Sequence, residues 1–186
     1  MTAQDAETKL LRANSRRNHD ALLAAAREVF TTHGTDAPLD LITRQVGVGR
    51  GTLYRHFPTR EHLFVAIMRD KVEELDHDAQ SALAAEDVWA ALTDWLRRYD
   101  RAATDYRGMS ASVGDGLVDD NSPVAPLCQP MKASFTLLFE RARAELRLRA
   151  DVTAVQVLAL VLALPKDPDT GRTMPPYLDI VLDGLR

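Results

Sequence analysis

Apolar residues recur at three- and four-residue spacing through nearly the whole chain, and alternating β-branched runs bounded by turns are missing. That pattern predicts an all-α protein of about nine helices. The first runs from about Arg16 to Thr32, with Leu22, Ala25, Ala26, Val29 and Phe30 on one face and Gly34 just beyond its end. A short helix at 39–46 turns Leu39, Ile42 and Val46 inward; Gly47 permits a tight turn, and another short helix covers about 50–57 before Pro58 stops it. Thr59 is positioned to cap a longer helix, although His62 stands where Glu or Gln would complete a capping box. Val88, Leu92, Trp95, Leu96 and Tyr99 stripe a helix at 87–104, and a short helix is expected at 110–118. Leu127, Met131, Phe135, Leu138, Ala142 and Leu146 stripe another over about 124–148, with Pro130 marking a late start or a kink. The last two helices are expected at 151–164, apolar nearly all round, and at 175–185.

Composition narrows the class. With 186 residues, 46% hydrophobic and 27% charged, the chain is long enough to bury a core and is too apolar for disorder. The single cysteine, Cys128, excludes an intrachain disulfide framework and a multi-cysteine zinc site. The polar first twenty residues contain no secretory apolar stretch, and the longest apolar run, AVQVLALVLAL, falls short of a membrane span. A cytoplasmic protein without membrane association is therefore expected. The net charge of −4 hides an asymmetry: residues 1–64 carry nine Lys/Arg against seven Asp/Glu, and the remainder fourteen against twenty. A polyanion is attracted by a local basic face, because screening confines the interaction to roughly 8–10 Å.

The segment LDLITRQVGVGRGTLYRHF supplies such a face. Two short helices joined by a glycine turn, the second presenting donors outward, are the requirements of a helix-turn-helix. Val48 and Leu53 wedge the two helices together and Phe57 anchors the end of the second. Arg50 can fork onto the O6 and N7 of guanine, Gly51 allows close approach, and Thr52 suits phosphate or a thymine methyl. Tyr54, His56 and Arg60 suit phosphate oxygens, which position without reading sequence. Arg16 and Arg17 add phosphate or minor-groove contacts, and Thr43, Arg44, Val48 and Arg55 complete the candidate DNA-binding set.

GTLYRHFPTREHLFVAI, preceded by LDLITRQVGVGR and by a first helix ending F-x-x-H-G, resembles the amino-terminal domain of the TetR family of bacterial transcriptional regulators over about residues 15–65. The chain departs from the usual pattern at Thr43 and at Gln45-Val46, where small residues are customary, at Gly49 in place of a capping serine, and at Arg60 in place of lysine. The resemblance implies a flexible tail over 1–14, a DNA-binding domain over 15–62 and a ligand-binding and dimerisation domain over 63–186. It further implies a homodimer that binds a palindromic, double-stranded operator, mostly as a repressor, and is released by a small-molecule effector.

Trp89, Trp95, Tyr99, Met109, Phe135 and Phe139 are candidates to line a pocket for an apolar or aromatic effector, against the plainer alternative that they form core. Val152, Val155, Leu158, Leu162, Leu178, Val181, Leu182 and Leu185 carry more apolar surface than a small monomer needs, and a four-helix dimer interface would bury it. No cofactor or metal is expected: the five histidines make no ligand pair, and the acidic run at 73–78 spreads around a helix. The alternative function is a small helical ligand-binding protein or an enzyme using a carboxy-terminal cavity. No nucleophile, base and orienting group in a recognisable arrangement supports the enzyme.

Overall fold

The structure, a computed structural model, describes residues 3–105, 119–122, 124–146, 148–170 and 172–186. The predicted helix at 110–118 and Met109 lie outside the described residues. Eight helices are described: α1 (Ala3–His33), α2 (Leu39–Val46), α3 (Arg50–His56), α4 (Arg60–Ala82), α5 (Val88–Thr104), α6 (Ala125–Leu146), α7 (Ala154–Ala163) and α8 (Tyr177–Asp183). Among the described residues the only β pairing is an isolated antiparallel bridge between Lys166 and Thr173. The chain divides into two compact units, Met1–Ile67 and Met68–Arg186, with the division inside α4.

The amino-terminal unit is built on the apolar face of α1. Leu22, Ala25, Ala26, Val29 and Phe30 are all buried, as their spacing predicts, and α2 packs against this helix. Ile42, Leu53, Phe57, Leu63 and Ile67 complete the core. Gly34 ends α1 in a left-handed conformation (φ 83°), its N–H bonded to the Phe30 carbonyl at 3.0 Å. The helix begins far earlier than the apolar stripe indicated. The stretch AQDAETKLLRAN is rich in good helix formers and free of Gly and Pro, so the backbone continues helically where no apolar periodicity requires it.

The carboxy-terminal unit has an aromatic centre. Trp95, Leu92, Leu96 and Tyr99 of α5 pack on Phe135, Leu138 and Phe139 of α6, and α7 adds Val157, Leu158 and Val161. The Trp95 ring stacks on Phe135 (centroids 4.4 Å) and on Tyr99 (5.4 Å), and its indole N–H donates to the Leu75 carbonyl at 2.9 Å. Pro130 lies inside α6 without ending it; Cys128 and Met131 on either side both remain buried on the core stripe. Among the described residues side-chain caps set three helix starts: the Thr59 hydroxyl accepts from His62 N–H at 3.4 Å on α4, the Asp87 carboxylate accepts from Ala90 N–H at 2.9 Å on α5, and Thr153 with Gln156 forms a full capping box on α7. Residues 165–174 are tied to α5 by Lys166, whose ammonium donates to Asp100 at 3.2 Å and to the Thr173 hydroxyl at 2.5 Å.

Candidate nucleic-acid interface

Gly47 is the joint of the motif. It closes α2 at φ 73°, the left-handed region, and the Val48 N–H returns to the Thr43 carbonyl at 3.0 Å. The turn delivers α3, capped by Gly49 without any side-chain hydrogen bond. Leu53 and Phe57, four residues apart, fix the helix to the core, and the opposite positions then face outward. Arg50, Gly51, Tyr54 and Arg55 are exposed, Thr52, His56 and Val48 are half-buried, and Arg44 is exposed on α2. The Arg55 guanidinium curls back along its own helix toward the Gly51 carbonyl at 3.3 Å.

Several predicted contact residues are placed differently from the sequence reading. Arg60 does not project: its guanidinium donates to the carbonyls of Thr35 at 2.5 Å and Ala37 at 2.9 Å and lies 6.0 Å from the Phe30 ring centroid. Its donors are spent on the loop between α1 and α2, whose carbonyls have no helical partner of their own. Thr43 is buried, and its hydroxyl donates to the Asp40 carbonyl at 3.1 Å. Arg16 and Arg17 are exposed, but they lie inside α1 rather than on an arm preceding it.

Two features at this surface had no sequence signal. The Arg50 guanidinium is held by Asp40 of α2, with Nε–H donating to Oδ1 at 2.5 Å and Nη2–H to Oδ2. The pairing lowers the Asp40 carboxyl below its ordinary value of 3.8. His56 meets His19 of α1 edge-on, ring centroids 5.8 Å apart, while His19 also lies 5.0 Å from the Phe57 ring. Burial, then the charges of His19 and Arg55, push His56 below its ordinary 6.5. Both pairs join residues on different helices, so only the folded geometry reveals them.

Of the predicted pocket residues, Trp95, Tyr99, Phe135 and Phe139 form the buried core of the carboxy-terminal unit. Trp89 is half-buried beneath the Arg186 guanidinium, 4.0 Å from its ring centroid, and belongs to the surface. The Tyr99 hydroxyl is buried and has no hydrogen-bond partner among the described residues. Burial raises this phenol well above its ordinary value. Tyr99 lines a cavity of about 10 Å³, room for about one water, with Met68, Val72, Ala102, Cys128 and Met131. Burial pushes the Cys128 thiol up to about 11, which removes the thiolate that redox chemistry needs.

The predicted interface residues divide in two. Leu158, Leu162, Leu182 and Leu185 are buried within the chain's own core, whereas Val152, Val155, Leu178 and Val181 are half-buried. Among the described residues of the carboxy-terminal unit, the exposed large apolar side chains are instead Leu137 of α6, Leu160 of α7, and Tyr177 and Ile180 of α8. Among the described residues no helix is long and apolar enough to cross a membrane, and no group of three metal-ligating side chains occurs.

Comparison with known proteins agrees with this arrangement of helices. The family described as bacterial regulatory proteins of the tetR family matches residues 22–67, and the SbtR-like carboxy-terminal domain of transcriptional regulators matches residues 87–186. A TetR transcriptional regulator from Streptomyces coelicolor is 36% identical, with 90% of this chain and 98% of that one covered and a TM-score of 0.54. One from Mycobacterium vanbaalenii is 31% identical, with 95% and 99% covered and a TM-score of 0.55. The HTH-type transcriptional regulator TtgW of Pseudomonas putida is 33% identical over 81 residues, a span of 43% of this chain and 60% of that relative, under two thirds of its length. With the exposed α3, its glycine joint and matches that extend across both units, the chain belongs to the TetR family of transcriptional regulators, which are DNA-binding proteins and not enzymes.

Proposed function

We propose that the protein is a cytoplasmic, ligand-responsive repressor that binds a palindromic operator as a homodimer, with α3 in the major groove. The observation that carries this reading is the sidedness of α3: Leu53 and Phe57 are buried while Arg50, Gly51, Tyr54 and Arg55 face out. Arg50, at the groove-facing start of the helix, is assigned to base reading, and Thr52, Tyr54, Arg55 and His56 to phosphate or sugar oxygens. Arg16, Arg17 and Arg44 add positive charge on neighbouring helices. Arg60 and Thr43 take no part in contact and hold the reading head together instead. Two copies related by a twofold axis would read inverted half-sites spaced by one or more helical turns.

The effector is assigned to the aromatic core beside Tyr99, where the cavity of about 10 Å³ has room for about one water and must widen by displacing side chains to admit it. A buried hydroxyl without a partner incurs the desolvation cost of an unmade hydrogen bond, and a ligand that offers an acceptor there recovers it. The surrounding Met, Val, Ala and Cys side chains favour an apolar or aromatic body. Binding would relieve repression if the filled state has lower DNA affinity, which requires differential affinity of the effector for two conformations.

The test is Arg50→Ala against an operator obtained by selection from random fragments. Loss of about 1–3 kcal/mol on the operator, with little change on scrambled DNA, is expected of a base reader. Equal loss on both would refute that assignment.

A further inference from the structure

Arg50 emerges from the first position of α3, and Asp40 sits in the first turn of α2, on the other side of the Gly47 joint. The contact between them uses a particular edge of the guanidinium. A guanidinium has five N–H donors arranged around a plane: one on Nε and two on each terminal nitrogen. Asp40 takes the Nε–H and one Nη2–H, the side edge of the group. The end edge, one N–H on each of Nη1 and Nη2, is left, and its two parallel donors are the fork that matches O6 and N7 of guanine. The arginine is 69% exposed and the aspartate 30%, so the clasp sits at the surface.

We propose that Asp40 is a positioning residue that determines specificity: its carboxylate holds the side edge of Arg50 so that the end edge is presented to a base in a single orientation. The inference rests on the assignment of Arg50 as the base reader. Two physical consequences follow. An arginine without the clasp must surrender several rotatable bonds on meeting the base, and the carboxylate has already restricted them in the free protein. The carboxylate also repels nearby phosphates, which weakens binding to every sequence alike. The first effect favours the operator alone and so widens the ratio between operator and scrambled DNA, and the second keeps binding to scrambled DNA weak.

The test is a double-mutant cycle with Asp40→Ala, Asp40→Asn and Arg50→Ala, read as the ratio of Kd on scrambled DNA to Kd on the selected operator. Asp40→Asn keeps the size of the side chain but presents an N–H₂ in place of one acceptor, so it breaks the two-point contact and serves if the alanine variant is poorly folded; circular dichroism melting monitors folding of each variant. Both Asp40 variants are expected to lower the ratio by about three- to tenfold, with scrambled DNA bound no more weakly than by the parent. In the Arg50→Ala background the same substitutions should change the ratio less than twofold. A ratio that stays within twofold for both Asp40 variants, while Arg50→Ala lowers it, overturns the inference and leaves the base reader standing. An equal effect of Asp40 substitution with and without Arg50 also overturns it. If Arg50→Ala itself leaves the ratio unchanged, the base-reading assignment fails and takes this inference with it.

Discussion

Arg60 and Arg50 are both arginines of the same small unit, yet their surroundings assign them opposite work. Arg60 satisfies two loop carbonyls from within the fold. Arg60→Ala should therefore cost about 1–3 kcal/mol of stability, because charge-assisted hydrogen bonds are lost and buried carbonyls are left unpaired. Thermal melting would show this, while the salt dependence of DNA binding by the folded fraction should keep its slope; a reduced slope at unchanged melting temperature would place Arg60 on phosphate after all. His56 gives a pH effect whose sign is fixed by its lowered pKa. Above pH 6.5 the histidine is neutral in both folded and unfolded chains. As pH falls below 6.5 the unfolded chain takes the proton first, so the His56 contribution to stability is lost progressively until pH has passed the folded-state value. Melting temperature should fall as the pH is lowered below about 6.5, and His56→Gln should flatten that drop; an unchanged slope in the variant would exclude His56 as its source. Outward and inward positions on α3 were legible because a three-to-four spacing fixes direction. Which carbonyl lies within reach of Arg60, or which carboxylate lies beside Arg50, depends on how separate helices meet, and no spacing within one helix encodes that.

At the scale of elements, α2 and α3 were readable almost to the residue because Gly47 and Pro58 punctuate them. Gly47 is required for its backbone and not for space: at φ +73° nothing lies within 4 Å of where a Cβ would stand. Gly47→Ala should cost about 1–2 kcal/mol from left-handed strain alone, and Gly47→Asn less. Urea unfolding measures this, and a neutral alanine variant would show that the turn adopts another conformation. The start of α1 was not readable from apolar spacing, since residues 3–15 show no regular apolar stripe and only propensity extends the helix. Pro130 pointed to a late start or a kink in α6, and the helix begins before it, at Ala125. The loss of one backbone hydrogen bond near the start of a 22-residue helix is offset by the buried stripe that continues past it.

For the molecule as a whole, the all-helical class and the identity of the core were legible, because the apolar positions of α1, α5 and α6 fall on single stripes. The positions left exposed on the carboxy-terminal helices were not. Helix α7 is apolar nearly all round, so periodicity cannot distinguish Leu158, which is buried, from Leu160, which is 49% exposed. If homodimerisation covers α7 and α8, Leu160→Asp and Ile180→Asp should shift the mass measured by light scattering from dimer to monomer, with the fold intact and operator affinity reduced. Leu158→Asp should instead unfold the carboxy-terminal unit, because it places a charge among buried side chains. A dimer that persists in both surface variants would move the interface elsewhere.

The stack of Trp95 on Tyr99 carries a practical consequence. Of the two tryptophans, Trp95 is buried in ring-to-ring contact with the phenol whose hydroxyl lacks a partner, while Trp89 lies beneath the Arg186 guanidinium. A compound that wedges beside that phenol must displace a ring pressed against the indole. Trp95 emission is thus a label-free optical readout for compound libraries, and a Trp89→Phe protein would report from that single chromophore.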